Sequence, residues 1–254
     1  MRVTVLGSGP SGGVPLPGCS CPVCRSPNPR NRRRRPSILV EEGATRLLVD
    51  ASPDLRAQLL DLDDVRLDAV IFTHAHADHC HGIDDLRSVN HRNDAPLDAF
   101  AMPETLQALD ARFGYVFEPV RPGFGWYKPQ LVARAVDGRF RIGDIDVTPF
   151  EQGHGDGTTL GLRFGPFAYS TDVNALSEAA FDTLAGIDAW LVDCLRPEPN
   201  PMHSHLPQTL EWIARVAPEC AYLTHMNHEL DYDVLSETLP PGVAPAYDGL
   251  VIEV

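Results

Sequence analysis

The chain has 254 residues, which leaves one large domain or two small ones open and is long enough for a sizeable buried core. Hydrophobic residues make up 43% and charged residues 22%, which are ordinary globular values that exclude a disordered chain or a fibre. The 21 basic and 35 acidic residues give a formal net charge of −14, so we expect no general nucleic-acid binding through a basic face.

The sequence contains no apolar run that approaches the roughly 18 residues of a membrane span. Its start, MRVTVLGSG, favours a first strand over the apolar region of a signal peptide. We therefore expect a soluble cytoplasmic protein without membrane association.

Short apolar runs bounded by glycine, proline, asparagine and aspartate alternate with helical patterns, which predicts a layered α/β protein. The predicted strands are residues 2–6, 37–41, 46–50, 69–73, 99–102, 140–142, 146–150, 159–164, 167–170, 189–193, 221–224 and 250–254. The predicted helices are residues 53–60, 82–90, 103–113, 177–184, 207–216 and 232–238. The polar segment 21–36 is predicted to be a loop, with Arg32 to Arg35 as a solvated charge run.

A glycine pattern, Gly7-x-Gly9-x-x-Gly12, follows the first predicted strand and has the outline of a dinucleotide-binding fingerprint. That fingerprint needs a helix whose N-terminus holds the pyrophosphate, and Pro10 and Pro15 forbid the helix here. We therefore expect a glycine-rich loop beside a metal site.

A dense histidine cluster follows the predicted strand 69–73 and consists of His74, His76, Asp78 and His79. Three imidazoles and a carboxylate cannot all be buried without partners, and on a strand-to-helix turn they can diverge to supply two metal centres.

Three further candidates each follow the end of a later predicted strand, namely His154, Asp172 and His225. Strand ends present side chains to one crevice at a sheet edge. Because one site would then draw on most of the chain, we expect residues 1–254 to form a single domain.

Three of the six cysteines, Cys19, Cys21 and Cys24, form a Cys-x-Cys-x₂-Cys pattern. This crowding predicts metal binding rather than a disulfide framework, although a tetrahedral site needs a fourth ligand. The alternative is a set of reduced surface thiols. The other cysteines, at positions 80, 194 and 220, lie in or beside apolar segments and are expected in the core.

The pattern His-x-His-x-Asp-His-x-x-Gly, a distant His, an Asp after a Ser-Thr pair and a C-terminal His together resemble the metallo-β-lactamase superfamily of binuclear metallohydrolases. The resemblance implies a four-layer αββα sandwich of two mixed sheets flanked by helices. The start of the chain, from Leu6-Gly7-Ser8-Gly9 to Cys24, is further similar to the phosphodiesterase branch typified by the phosphoribosyl 1,2-cyclic phosphate phosphodiesterase of the carbon-phosphorus lyase pathway.

The resemblance implies two catalytic divalent metals, Zn²⁺ or Mn²⁺, and one structural Zn²⁺. The implied ligands of one catalytic metal are His74, His76 and His154, those of the other are Asp78, His79 and His225, and the implied bridge is Asp172. The implied structural zinc ligands are Cys19, Cys21, Cys24 and His228. Asp50, at the end of a strand, is expected to orient a ligand imidazole, as outer-shell carboxylates do.

In this branch a histidine before a late helix touches the substrate phosphate, and His205 matches it better than His203. Such a histidine can donate a proton to a leaving alkoxide, whereas the alternative is a loop histidine without a role. The resemblance thus implies hydrolysis of a small cyclic sugar or nucleoside phosphodiester by a metal-bridging hydroxide, with His205 and Asp78 as catalytic residues. The partner we expect is the small anionic substrate, and homodimer formation stays open.

Three alternatives remain. A thioesterase or lactamase of the same superfamily would use the same metals but gives no reason for His205. A transfer-RNA 3′-processing nuclease shares the histidine, but the net charge of −14 weighs against it. A non-catalytic protein resembling the pyrroloquinoline quinone B protein has the fold and the cysteines, but filled ligand positions favour an enzyme. Phe124, Trp126 and Tyr127 could stack on a substrate or simply pack.

Overall fold

The structure of the chain, a computed structural model, describes residues 1–254. Its strands are β1 (Arg2–Gly7), β2 (Ser37–Glu42), β3 (Thr45–Val49), β4 (Ala69–Ile71), β5 (Leu97–Ala101), β6 (Leu131–Ala135), β7 (Phe140–Ile142), β8 (Ile145–His154), β9 (Gly157–Phe164), β10 (Phe167–Ser170), β11 (Ala189–Asp193), β12 (Cys220–Thr224), β13 (Val243–Pro245) and β14 (Val251–Glu253). Its α-helices are α1 (Pro22–Arg25), α2 (Leu55–Leu60), α3 (Ala77–Cys80), α4 (Arg87–Asn93), α5 (Pro103–Phe113), α6 (Glu178–Leu184), α7 (Leu206–Val216) and α8 (Tyr232–Thr238).

The strands form two mixed sheets of seven strands each. The first has the order β14-β1-β2-β3-β4-β5-β6, and its strands are antiparallel from β14 to β3 and parallel from β3 to β6. The second has the order β13-β12-β11-β10-β9-β8-β7, antiparallel from β7 to β10 and parallel from β10 to β13. In both sheets the parallel strands run into loops on one edge, which is where side chains of a site can meet.

Apolar side chains fill three layers, one between the sheets and one under the helices on each outer face. The alternation along β3 shows how this arises: Leu47 and Val49 point into the layer between the sheets, whereas Leu48 points toward α2. The strands at the centre are therefore buried on both faces. Helices α2 to α5 cover the first sheet and α6 to α8 cover the second, which confirms the αββα sandwich.

Several elements differ from the predictions for physical reasons. The predicted helix 82–90 is a 3₁₀ turn, Ile83–Leu86, followed by α4. Two strands, β6 and β13, were not predicted, because β6 is an edge strand with a largely exposed face and β13 has only three residues. The predicted loop 21–36 contains α1 and a 3₁₀ turn, Pro29–Asn31. None of the helices reaches the length and apolar character that a membrane crossing requires.

Candidate metal centre and its surroundings

All seven predicted catalytic ligands meet where the parallel strands end. They form two adjoining groups that share Asp172, and within each group one donor atom per residue lies within 4.8 Å of the others. The first group is His74, His76, His154 and Asp172, and the second is Asp78, His79, His225 and Asp172. Residues 74–79 follow β4, His154 ends β8, Asp172 follows β10 and His225 follows β12, so both sheets contribute.

In the first group the Nε2 atoms of His74 and His154 lie 3.7 and 3.8 Å from Asp172 Oδ1. The ring of His76 completes the group, with its centroid 4.5 Å from that of His74 and 5.1 Å from that of His154. His76 is exposed and the other three residues are buried. This group therefore faces the mouth of the site.

In the second group the Nε2 atoms of His79 and His225 lie 2.9 and 3.4 Å from Asp172 Oδ2 and 3.4 and 3.5 Å from Asp78 Oδ2. Ligand atoms bound tetrahedrally to one ion at about 2.1 Å are about 3.4 Å apart, so these separations suit a divalent metal. Asp172 directs Oδ1 at the first group and Oδ2 at the second. Its carboxylate is therefore positioned as a bridging ligand would be.

The buried imidazole nitrogens supply an independent test of the fit to metal. The Nε2 atoms of His74, His79 and His225 are buried without a hydrogen-bond partner. His79 Nε2 is 2.9 Å from Asp172 Oδ2 but lacks hydrogen-bond geometry to it. Because buried polar atoms are normally paired, three converging unpaired nitrogens fit a cation as their shared partner. Imidazole and carboxylate donors without thiolate fit Zn²⁺ or Mn²⁺.

Outer contacts orient the imidazoles. His79 donates from Nδ1 to Asp50 Oδ2 at 2.6 Å, as expected for Asp50, and His154 donates from Nδ1 to the Met202 carbonyl at 2.6 Å. Asp50 itself accepts from the Thr73 backbone N–H at 2.8 Å and from its hydroxyl. These bonds leave each Nε2 free to face the metal position.

The backbone adopts uncommon conformations at residues of the metal centre and its outer contacts. Asp50, Asp172 and His225 have φ values of 64°, 52° and 57°, in the left-handed region that non-glycine residues seldom adopt. Gly82, the glycine of the motif, passes so close to Ser52 that a Cβ would lie 1.9 Å from the Ser52 carbonyl oxygen. This close approach explains the glycine, because it lets the metal-binding turn lie against the end of β3.

The charges of the centre perturb its pKa values strongly. Burial raises the pKa of Asp172, but the imidazoles of His225, His79 and His74 outweigh it and hold that pKa well below its usual value. Burial lowers the pKa of His225, but Asp172 and other carboxylates raise it to about 9. Burial and the neighbouring His79 keep the pKa of His74 well below its usual value. Such opposed shifts within one cleft are typical of functional sites.

His203, rather than His205, contacts this centre. Its Nδ1 donates to Asp193 Oδ2 at 2.9 Å, its Nε2 lies 4.0 Å from Asp172 Oδ1, and its ring stacks on that of His225 with centroids 4.7 Å apart. His205 is the N-cap residue of α7, and its side chain hydrogen-bonds through Nδ1 to Gln208 Oε1 at 3.2 Å. The catalytic role of His205 stays a prediction, and the geometry favours His203 for it.

The three clustered cysteines also converge, with their Sγ atoms within 4.8 Å of one another. Cys21 Sγ accepts from the Cys24 N–H at the start of α1, and Cys24 Sγ accepts from the Leu16 N–H, both at 3.4 Å. The Cys24 N–H lowers the pKa of Cys21 despite burial, which favours a thiolate ligand. The three sulfurs are close enough to bind one structural metal ion, and the N–H groups that donate to them would stabilise the thiolate form that binds metal.

The predicted fourth ligand of that metal, His228, is near but differently oriented. Its backbone carbonyl accepts from Cys21 Sγ at 3.6 Å, and its ring nitrogens fall outside the 4.8 Å group. His228 as a zinc ligand therefore stays a prediction. It requires the imidazole to rotate toward the three sulfurs.

Arg33 corrects the prediction of a solvated charge run. It is 2% exposed and donates to the carbonyls of Asn227 and Leu230 at 2.8 and 2.7 Å and to Asn31 Oδ1 at 3.0 Å. Burial lowers its pKa to about 10. Arg33 thus ties the segment after the cysteines to the segment after His225, a role that a run of four arginines conceals in the sequence.

The remaining cysteines and the aromatic residues of segment 124–127 differ in burial. Cys80 and Cys194 are buried as expected, whereas Cys220 is only half-buried because it begins β12 near a sheet edge. Among the three aromatics left open, Phe124 and Tyr127 are 71% and 44% exposed, so they do not serve as core residues. Trp126 donates from its indole to Asp94 at 3.1 Å.

The comparisons with known proteins agree with this geometry. The beta-lactamase superfamily domain matches residues 45–226. A crystal structure of a diphosphatase from the PhnP family is 33% identical and superposes with a TM-score of 0.92, covering 100% of this chain and 97% of that one. The structure of Zn²⁺-bound PqqB from Methylobacterium extorquens is 22% identical with a TM-score of 0.76 and full coverage of both chains, which shows the shared fold.

Two curated relatives match over part of their own length. An octanoyltransferase of Porphyromonas gingivalis is 34% identical over 98% of this chain and 51% of the relative. A coenzyme PQQ synthesis protein B of Methylobacterium radiotolerans is 38% identical over 34% of each chain. The chain thus spans about half and about a third of these two relatives.

The family match, the two seven-stranded sheets and the histidine-aspartate clusters lead to one class, and the chain belongs to the metallo-β-lactamase superfamily of metal-dependent hydrolases. Within it, the 33% identity and the superposition over the whole chain assign the chain to the PhnP-like branch.

Proposed function

We propose that the chain is a binuclear phosphodiesterase that hydrolyses a small cyclic sugar or nucleoside phosphodiester. The observation that carries the proposal is the position of His203, which holds Asp193 with one ring nitrogen and directs the other at Asp172 between the two groups of ligands. A histidine at this position can donate a proton to the leaving oxygen, which matters most when the leaving group is an alkoxide, a poor leaving group without a proton.

Two divalent metals held by the seven ligands would supply Lewis acidity toward phosphate oxygens and an activated water. The residues of the chain then have separate roles. His203 would hold a proton on Nε2 toward the leaving oxygen, and Asp193 fixes the ring by accepting from Nδ1. Asp193 also accepts from the Val173 N–H at 2.9 Å and is fully buried, so the pair is rigid. The contacts of Asp78 with His79 and His225 support a role as a metal ligand, and Asp78 makes no contact that would add a proton-transfer role.

The diphosphatase from the PhnP family supports phosphoryl chemistry at such a site. It also makes cleavage of a diphosphate the second candidate function, because that relative is 33% identical over nearly the whole of both chains. Both reactions break a P–O bond at an anionic phosphorus. They differ in the leaving group, which is an alkoxide in a diester and a stabilised phosphate in a diphosphate, so only the diester needs His203 strongly.

Thioester or lactam hydrolysis is less well supported. These substrates are neutral at the reacting centre and gain less from a doubly cationic site than an anionic phosphodiester does. The octanoyltransferase relative is twice the length of the match, so its named activity is not transferred to this chain. A non-catalytic role like that of a PQQ synthesis protein is disfavoured by the complete set of ligand residues.

The test is a panel of substrates offered to one metal-loaded preparation. We expect turnover of bis-p-nitrophenyl phosphate and 2′,3′-cyclic nucleotides, with monoesters, thioesters and lactams slower by orders of magnitude. Preferred hydrolysis of diphosphates would select the second candidate. Efficient thioester or lactam hydrolysis without phosphodiester cleavage would overturn the proposal and leave the metal assignment intact.

A further inference from the structure

The three clustered cysteines lie in a loop, residues 15–32, that one pair of residues closes at its base. The Val14 N–H donates to the Arg33 carbonyl at 2.9 Å, and the Arg33 N–H donates to the Val14 carbonyl at 2.8 Å. Inside the loop the cysteines pack with Val14 and Val23. The loop that gathers the sulfurs therefore also sets the position of the Arg33 backbone.

From this base the Arg33 side chain reaches the segment that follows His225. Its guanidinium is 2% exposed and donates to the carbonyls of Asn227 and Leu230 at 2.8 and 2.7 Å. These carbonyls lie on either side of His228, whose own carbonyl accepts from a cysteine sulfur of the cluster at 3.6 Å. The cysteine loop and the segment 226–230 are thus joined at three neighbouring carbonyls.

The position of His225 depends on this segment. Its φ of 57° is uncommon for a non-glycine residue, and such a conformation persists only where the surrounding structure holds it. The next residue, Met226, is held from two sides, because its N–H donates to the Ser8 carbonyl at 3.1 Å and its carbonyl accepts from Arg33 Nη1 at 3.4 Å. A ligand that is already in place before an ion binds raises the affinity for that ion.

The first ligand group has no such connection. The side-chain hydrogen bonds of Arg33 go to Asn31 and to the segment 226–230, and none goes to residues 74–79 or to His154. Any effect of the cysteine loop on metal binding should therefore fall on the second group, which contains His225.

From these contacts we infer that Arg33 couples the cysteine cluster to the second ligand group, so that a metal ion on the sulfurs raises the affinity of that group for its own ion. An ion on the sulfurs would order the loop, the loop fixes Arg33, and Arg33 fixes the segment after His225. Because such coupling is reciprocal, an ion in the second group would strengthen binding at the cysteines by the same factor. The inference goes beyond the proposed function and holds for any substrate.

The test measures Mn²⁺ binding to chelated wild-type protein by electron paramagnetic resonance, with and without one Cd²⁺ per chain. Cd²⁺ is a soft ion that prefers thiolates, and its thiolate absorption band verifies that it is bound there, whereas Mn²⁺ prefers nitrogen and oxygen ligands. With Cd²⁺ bound, one of two Mn²⁺ sites should gain about tenfold in affinity, within the usual range of such couplings, and the other should stay unchanged. No gain, or an equal gain at both sites, would overturn the inference.

Variants of the two ends of the connection complete the test. Cys19→Ser removes a thiolate but keeps Cys21 as the cap of α1, so it should show no gain, and a gain would mean that Cd²⁺ acts elsewhere. Arg33→Met should lose the gain while Cd²⁺ still saturates the sulfurs, and Arg32→Ala, at the exposed neighbour, is the matched control that should keep it. If Arg33→Met does not fold, Arg33→Lys, which lacks the planar fork, should show a reduced gain. The full gain in a folded Arg33 variant would overturn the assignment.

Discussion

His203 and His205 are separated by one residue and have different surroundings. His203 stacks on His225, 4.7 Å between ring centroids, and bonds to the buried Asp193. His205 occupies the N-cap position of α7 without a capping side-chain hydrogen bond, and its Nδ1 hydrogen-bonds to Gln208 Oε1. His203 lies in a bend after β11 and His205 immediately precedes α7, and the turn of the backbone between them directs the first side chain at the metal centre and the second at Gln208.

Replacing each histidine separates their roles. His203→Ala should keep the metals and lower kcat by roughly 10² to 10⁴, the usual range for a general acid, on a substrate with a poor leaving group. His205→Ala should have a much smaller effect. Kinetics on both variants, with metal content measured in parallel, decide the assignment, and the reverse order of losses would return the role to His205.

Arg33 is a stability residue. Arg33→Ala would leave the buried carbonyls of Asn227 and Leu230 and the amide oxygen of Asn31 without their donor. We expect a loss of about 3 kcal/mol or more in the free energy of unfolding, because each bond involves a charged donor. Urea denaturation measures it, with the exposed neighbour in Arg32→Ala as the control. Equal stability of the two variants would contradict the anchoring role.

At the scale of elements, α1 and the loop before it form a small unit organised by sulfur. Cys21 begins the helix and accepts from the Cys24 N–H, so the same side chain caps α1 and contributes to the cysteine cluster. A four-residue helix has little stability of its own. A bound metal would therefore supply much of the folding free energy of this segment.

Cys21→Ser should accordingly lose one metal per chain and lower the melting temperature. Cys220→Ser, outside the cluster and half-buried, is the matched control and should change neither. His228→Ala tests the fourth ligand in the same assay. Full metal content and an unchanged melting temperature in Cys21→Ser would make the cysteines bystanders.

The elements also show what a sequence can predict. The ligand positions were predictable because each lies at or after the end of a strand, and the two sheets bring these strand ends to one edge of the sandwich. The choice between His203 and His205 depended on how the backbone turns between the bend at residues 201–203 and the start of α7, which residue types alone do not specify.

At the scale of the whole molecule, both sheets supply ligands, which supports the proposal that residues 1–254 form a single domain. This arrangement links folding to metal binding. In the chelated protein His225 has a pKa of about 9 in the folded state, above the ordinary value of 6.5, so its contribution to stability is present below pH 6.5 and is lost as the pH rises through about 9. His79, whose pKa is also raised despite burial, acts in the same direction.

We therefore expect the chelated protein to lose about 2 kcal/mol of stability from His225 alone between pH 6.5 and 8.5. The metal-loaded protein should lose less, because bound imidazoles do not titrate. Urea unfolding at the two pH values measures both. A chelated protein that becomes more stable over this range would contradict the charge distribution of the centre.

The central claim is that metals bound by the seven clustered residues carry phosphodiester hydrolysis. The most direct measurement follows the hydrolysis of bis-p-nitrophenyl phosphate while Zn²⁺ or Mn²⁺ is titrated into chelated protein, with elemental analysis at each point. Activity should be absent at first and rise to a maximum as the content approaches three metals per chain, two catalytic and one structural. Full activity in metal-free protein, or a well-folded protein that never binds more than one metal, would contradict the account.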